Sequence, residues 1–249
     1  MNPTVIEDSV SIPAGVTENV ITLNNSLSKF LNAAHDGKCR FAAVQSAAGL
    51  RLDLTIGSKL FIASSEPRVG TDLSEPYDVF NDNMSARRGD QFTLRANNTT
   101  GGALTLRFRL VNEALKEDGS SLSEQEWAQV DPDDRTMQRG PVSIADGSVD
   151  FQLLDGLIWD RPPVPCHLEA FMTASAAGMT KTLDVEETNI IPPSAIAPNN
   201  RIPRDPDDAV IQGVEVADRD LILLAVTNRS GGALNAFWKT KLTEFARQL

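Results

Sequence analysis

The chain is poor in the residues from which most enzyme sites are built. Its 249 residues include two histidines, two cysteines and one tyrosine, and aromatics make up 6%. His35 and His167 cannot furnish a multi-histidine metal centre in either half, which sets aside a duplicated metal-dependent barrel enzyme. Each reads as a surface or hydrogen-bond-satisfied histidine. Two cysteines in 27.0 kDa are no disulfide framework, so Cys39 and Cys166 are expected to be reduced core thiols. No GxSxG, Walker loop, GxGxxG or CxxC pattern is present. No catalytic, cofactor-binding or metal-ligating set is therefore assigned. No apolar run of about 18 residues exists, so no membrane-spanning helix is expected. The start, "MNPTVIEDSV", has neither basic character nor an apolar h-region, which argues against a secretory signal and for synthesis in a cytoplasm.

Positive charge is also scarce. The net charge of -11 and pI near 4.7 argue against direct nucleic-acid binding by the bulk surface. Arg87, Arg88, Arg107 and Arg109 are expected to pair with neighbouring carboxylates. Two acidic loops, Asp131–Asp134 and Asp205–Asp208, both read Asp-Pro-Asp-Asp. They could offer oxygens to calcium, but without EF-hand spacing they read as solvated turns.

What is present is a repeat. "NNTTGGALTLRF" from Asn97 returns as "TNRSGGALNAFW" from Thr227, and residues 90–110 align on 220–240 without a gap. Seven of the twenty-one positions are identical, four of them consecutive: Gly101/Gly231, Gly102/Gly232, Ala103/Ala233 and Leu104/Leu234. "VSIPAG" from Val10 returns as "VSIADG" from Val142, and "SAAGL" from Ser46 as "SAAGM" from Ser175. The offsets of 130, 132 and 129 are nearly constant, so the matches are collinear. A period this long exceeds the roughly 20 to 50 residues of solenoids and propeller blades, so each copy should be a domain with its own core. Cys39 and Cys166 each precede a Ser-Ala-Ala-Gly tetrad and should occupy related places.

Around each tip, apolar and polar residues alternate with period two: Phe92, Leu94 and Ala96 before the first, Leu104, Leu106, Phe108 and Leu110 after it. That is the signature of strands with one buried face. Asn, Thr and Gly between them are hairpin-loop chemistry. Further strand candidates are 10–12, 16–23, 40–44, 50–56 and 59–63. The fold class is all-β, a tandem pair of antiparallel barrels or sandwiches with a few short helices. Residues 1–111 and 141–249 form the two domains, and 112–140 a linker with a short helix near Ser123–Val130, opened by a capping box of Ser123 and Glu126. Helical patches are also expected at Leu23–His35 and Ala236–Leu249. Ile190–Asp208, with five prolines, reads as an extended loop. Gly89 precedes Asp90 but Arg219 precedes Asp220, so the second turn is expected to differ. Leu221, Leu223 and Ala225 replace Gln91, Thr93 and Arg95, making both faces of that strand apolar and calling for a cover from the first barrel, the segment near Phe245 or a neighbouring subunit.

Two antiparallel barrels in tandem, each closed by an Asn-x-Thr/Ser-Gly-Gly-Ala-Leu hairpin, resemble the double jelly-roll major capsid proteins of tailless icosahedral viruses. The chain looks most like the short versions from membrane-containing bacteriophages of the corticovirus and finnlakevirus sort. The resemblance implies two tandem eight-stranded jelly rolls and no enzymatic activity or cofactor. It also implies homotrimers that act as pseudo-hexagonal capsomers, since three chains of two similar barrels fill six positions. Implied partners are the chain itself, neighbouring capsomers, penton and membrane proteins of the virion, and an internal viral membrane, with synthesis in the host cytoplasm. Alternatives are a minor capsid, vertex or spike protein and a tandem carbohydrate-binding module; a bicupin-like enzyme is set aside by the histidine count.

Overall fold

The computed structural model describes residues 3–17, 19–21, 32–74, 78–203 and 208–245. The chain divides into two compact units, the first ending at Met137 and the second spanning Gln138–Phe245. In the first unit the strands are β1 (Thr4–Ile12), β2 (Asn19–Ile21), β3 (Gly37–Gln45), β4 (Leu50–Ile56), β5 (Lys59–Ser65), β6 (Arg68–Val69), β7 (Val79–Ala86), β8 (Phe92–Asn98) and β9 (Leu104–Ala114). One sheet runs β1-β9-β3-β7 and the other β5-β4-β8-β2, with β6 a short parallel addition to β3. Lettering the eight main strands B to I in chain order gives the two sheets as B-I-D-G and F-E-H-C. The unit is a jelly roll.

The second unit repeats this order. Its strands are β10 (Asp134–Ile144), β11 (Phe151–Gln152), β12 (Cys166–Ala174), β13 (Met179–Val185), β14 (Thr188–Ala195), β15 (Ala209–Val216), β16 (Ile222–Asn228) and β17 (Leu234–Glu244). They pair as β15-β12-β17-β10 and β11-β16-β13-β14, again G-D-I-B and C-H-E-F. A second jelly roll follows. Strand β10 opens at Asp134, inside the segment read from sequence as linker, and its first residues belong to the first unit, where Thr136 pairs in parallel with Ile62 of β5.

Alternation drives the strands as expected. In β4, Leu50, Leu52, Leu54 and Ile56 are buried while Arg51, Asp53 and Thr55 are half-buried. Phe41, Phe80 and Phe108 gather in the first core, with ring centroids 5.9 and 6.3 Å from Phe41. Burial of each such side chain contributes on the order of 1.5–3 kcal/mol.

The E–F hairpins keep a common register despite little sequence likeness. Leu52↔Ser65, Leu54↔Ile62, Thr55↔Leu60 and Ile56↔Lys59 in the first become Lys181↔Ser194, Leu183↔Ile191, Asp184↔Asn189 and Val185↔Thr188 in the second, each 129 residues on. Both hairpins carry the same two irregularities.

Several expectations are corrected. The helix appears at Glu124–Trp127 with its Ser123/Glu126 capping box, shorter than read. Residues 188–195 form strand β14 rather than loop, because Pro192 and Pro193 sit on a sheet edge where no ladder N–H is required. Residues 236–244 continue β17, paired along its length with β12, instead of a helix. The 23–35 patch lies mostly outside the described residues, and Asn32 makes an isolated bridge to Gln91.

The turn before strand H does not differ between copies. Asp90 Oδ2 accepts the N–H of Arg87 at 2.7 Å, and Asp220 Oδ2 that of Ala217 at 2.9 Å. The backbone bonds match as well: Asp90 N–H to Arg87 O at 2.9 Å and Asp220 N–H to Ala217 O at 3.3 Å. The aspartate dictates the turn, so Arg219 is held at φ +66°, where Gly89 sits at +91°. A left-handed non-glycine residue costs on the order of 1–2 kcal/mol. Arg219→Gly is expected to raise unfolding free energy by up to about 1 kcal/mol after the entropy cost of glycine, measured by denaturant titration; an unchanged or lower midpoint would contradict the strain.

Candidate functional site

Sequence conservation between the copies points first to one end of each unit, where the three repeated segments meet. In the first unit Asn98 is buried, and its Nδ2 donates to Ile12 O at 3.1 Å, Pro13 O at 2.9 Å and Gly102 O at 2.8 Å. Its Oδ1 accepts from the N–H and hydroxyl of Thr100 at 2.9 and 2.7 Å. In the second, Asn228 Nδ2 donates to Ile144 O at 2.9 Å and Gly232 O at 2.8 Å, and Oδ1 accepts from Ser230 N–H at 3.1 Å. The Ser-Ala-Ala-Gly loops join the same knot. Ser46 Oγ accepts Thr105 N–H, and Ser175 Oγ accepts Asn235 N–H, both at 2.9 Å. Gly49 and Gly178, at φ +127° and +114°, let the loop pass against Thr100 and Ser230; a Cβ there would lie 2.2 and 2.6 Å from those side chains. The polar groups of the tips are turned on one another, so the repeat is a structural knot rather than a ligand cradle. Asn98→Ala or Asn228→Ala strands buried carbonyls, and each is expected to cost about 2–3 kcal/mol in chemical unfolding; a loss below about 0.5 kcal/mol would refute the knot.

The opposite end of the first unit carries a cleft of about 260 Å³, lined among others by Lys59, Ser85, Arg87, Asp90, Trp127 and Asp133. Asp133 is 1% exposed along its side chain; Lys59 Nζ lies 3.0 Å and Lys38 Nζ 3.8 Å from its carboxylate, and the Ser85 hydroxyl donates to it. Asn83 Nδ2 donates to Pro132 O and Asn81 Nδ2 to Asp134 O, each at 2.6 Å. Arg87 grips Glu124 with two bonds of 2.6 and 2.9 Å and lies 5.0 Å over the Trp127 ring. The cleft clamps residues 124–134 onto the unit.

Asp133, Asp134 and Asp208 of the acidic loops are therefore not solvated, while Asp131 is exposed. Asp133 and Asp134 are buried, the former with cations at its carboxylate. Residues 205–207 of the second loop lie outside the described residues, but Asp208 is buried against Arg201 Nη1 at 2.6 Å and Asn199 Nδ2 at 3.1 Å. It matches Asp78, 130 residues earlier, which grips Arg68 at 2.6 and 2.9 Å. Of the four arginines expected to pair, Arg87, Arg107 and Arg109 do so, with Glu124, Asp72 and Glu7, whereas Arg88 meets Asp36 through its backbone N–H.

His35 is buried rather than at the surface; its Nε2 lies 3.3 Å from Asn112 O, and its Nδ1 has no hydrogen-bond partner among the described residues. His167 packs edge-on to Phe245 at 4.6 Å. Phe245 thus lies against β12. Ala225 of β16 is buried, while Leu223 and Leu221, the residue just before the strand, are half-buried. The edge of β16 is lined by residues 151–162, through Leu153 N–H to Leu224 O, Ile222 N–H to Asp160 O and Arg219 N–H to Pro162 O.

Cys39 and Cys166 lie on strand D of their units, both buried and not joined in a disulfide, with Cys166 one two-residue step nearer the strand start. Burial, then the Asp133 charge, pushes the Cys39 thiol far above its ordinary range. A protonated buried thiol is no nucleophile. Among the described residues no three His, Cys, Asp or Glu side chains are grouped to hold a metal ion. Neither cysteine is expected to react with a thiol reagent in native protein, and both should react after unfolding; native labelling within minutes would contradict the burial.

No family model matches the chain, and no curated protein matches it. Among solved structures it is similar to the major capsid protein P2 from bacteriophage PM2, at 9% identity, with all of both chains covered and a TM-score of 0.41. It is also similar to the PBSX exported protein XepA, at 12% identity over 96% of this chain and 86% of that one, TM-score 0.27. A structure of infectious bursal disease virus, Gx strain, matches at 10% identity over 98% and 71%, TM-score 0.25. None reaches a TM-score of 0.5. The strand order, rather than these likenesses, identifies the fold.

Proposed function

We propose that the chain is a structural virion protein, a major capsid protein whose homotrimers form pseudo-hexagonal capsomers of an icosahedral capsid. The observation that supports this reading is that two complete jelly rolls stand in one chain in the same strand order, with the same loops knotted at the same end. A protein that must occupy six similar places with threefold symmetry gains from writing its block twice. The role is structural rather than catalytic: the buried polar groups described above serve to hold loops and connections.

On this reading the chain's partners are other copies of itself, penton and membrane proteins of the virion and an internal viral membrane, without direct nucleic-acid contact. It is made in the host cytoplasm and resides in the virion. No helix of the described residues is long and apolar enough to cross a membrane. A minor capsid, vertex or spike protein shares this architecture and differs by copy number in the particle. A sugar-binding module would present exposed indole rings, whereas Trp127, Trp159 and Trp238 are all buried.

Sedimentation of the purified protein is expected to give a mass three times 27.0 kDa, and electron microscopy of assembled particles to reveal tiles of pseudo-sixfold outline present in hundreds of copies. A monomeric or dimeric mass at all concentrations would overturn the capsomer reading, and a handful of copies per particle would assign the minor role.

A further inference from the structure

We propose that the open edge of β14, at Ile190–Ile191, receives the start of β1, Thr4–Val5, from a second copy of this chain as a short parallel bridge. The proposal rests on the trimeric-capsomer reading and names the contact by which copies join. It comes from a mismatch between two units of common register. In the first unit strand F is β5, and its edge is closed: Thr136 pairs in parallel with Ile62. There Phe61, Ile62 and Met137 are all 0% exposed, and Thr136 is buried. In the second unit strand F is β14, and Ile191 stands where Ile62 does, by the common E–F register. Among the described residues no strand lies beyond β14, which ends its sheet. Ile190 and Ile191 are left half-buried.

The donor side is unmatched in the same way. Counting back 132 residues, the offset of the Val10/Val142 repeat, Thr136 and Met137 correspond to Thr4 and Val5. Thr4 pairs with Asn112 on one edge, and among the described residues no strand pairs with the other edge of β1. Val5 is 47% exposed where Met137 is fully buried. Among the described residues one copy thus offers Thr4–Val5 without an acceptor and Ile190–Ile191 without a donor, while the equivalent residues of the same chain already show how such a pair fits. An apolar residue and an unpaired strand edge left in water both favour a partner. Because donor and acceptor are different patches, the contact is heterologous, and copies joined by it close into a ring or run on as a filament. The trimer is the closed case.

Two variants of the full chain test it. Val5→Asp places a charge on a residue already half in water, so the monomer should fold with unchanged circular dichroism, while the trimer fraction seen by native mass spectrometry falls by about tenfold or more. Thr4→Cys combined with Ile191→Cys should give, on mild oxidation, disulfide-linked dimers and trimers on a non-reducing gel, with the linkage between the two introduced thiols confirmed by peptide mass. Either single cysteine variant alone should give no trimers. Wild-type protein that is trimeric, with Val5→Asp equally trimeric and the double cysteine variant unlinked, overturns this contact and leaves the capsomer reading standing. Wild-type protein that stays monomeric overturns both.

Discussion

Two sheets of a sandwich must be held at their ends as well as through their core, and here a buried amide does it. Asn98 sits at the end of strand H in one sheet and donates to Ile12 at the end of strand B in the other. Asn228 spans from β16 to Ile144 of β10 in the same manner. An amide suits the task because it donates and accepts at once, so one side chain satisfies strand-end carbonyls and also folds the following loop back on itself. A buried carbonyl left without such a donor would lose about 1–3 kcal/mol. The Gly-Gly that follows lets the loop turn beneath the amide, and the serine of the D–E loop ties the far side of the tip to the next strand. The three stretches that look alike in sequence are thus one spatial unit.

That explains why the fold was legible where it was. Side-chain-determined features, such as the Asn-Gly-Gly tips, the Ser123/Glu126 cap and the alternating strands, leave marks in sequence that period and spacing can find. Backbone-determined features leave none. β5 and β14 share a register and two irregularities, yet only Ile62/Ile191 and Ser65/Ser194 are identical between their matched positions. Pro192 and Pro193 pointed to a loop because an edge strand's freedom from donating N–H groups is a property of its place in the sheet. Arg219 pointed to a changed turn because the aspartate one residue later, not the glycine, sets the turn. Apolar residues near the chain end fitted a helix face as well as a strand, and only pairing with β12 decides.

The buried ion pairs were the least legible. Asp133 meets Lys59 and Lys38, which lie 74 and 95 residues earlier, and nothing local in an Asp-Pro-Asp-Asp loop announces a cation so far away. A buried carboxylate must be paired or strongly hydrogen-bonded, since desolvation is costly. The acidic loops act as anchors for the segments that follow them: Asp133 fixes the chain just before β10, and Asp208 just before β15.

Where the units agree, the agreement serves each unit's own closure; where they differ, the difference lies at edges and surfaces. The strand F edge is closed in one unit by a single parallel pairing and, among the described residues, open in the other. An open edge invites indiscriminate strand addition, and the second unit limits this by chemistry. Pro192 and Pro193 carry no N–H and fall where the register with β13 is irregular, so a regular ladder does not run the length of β14. What survives is a short reach at Ile190 and Ile191, large enough for a bridge of the kind Thr136 makes and too small for an arbitrary peptide. The proposed bridge uses the two residues of that edge that immediately precede the prolines, Ile190 and Ile191, and so asks for no more than the single pairing that Thr136 makes with Ile62.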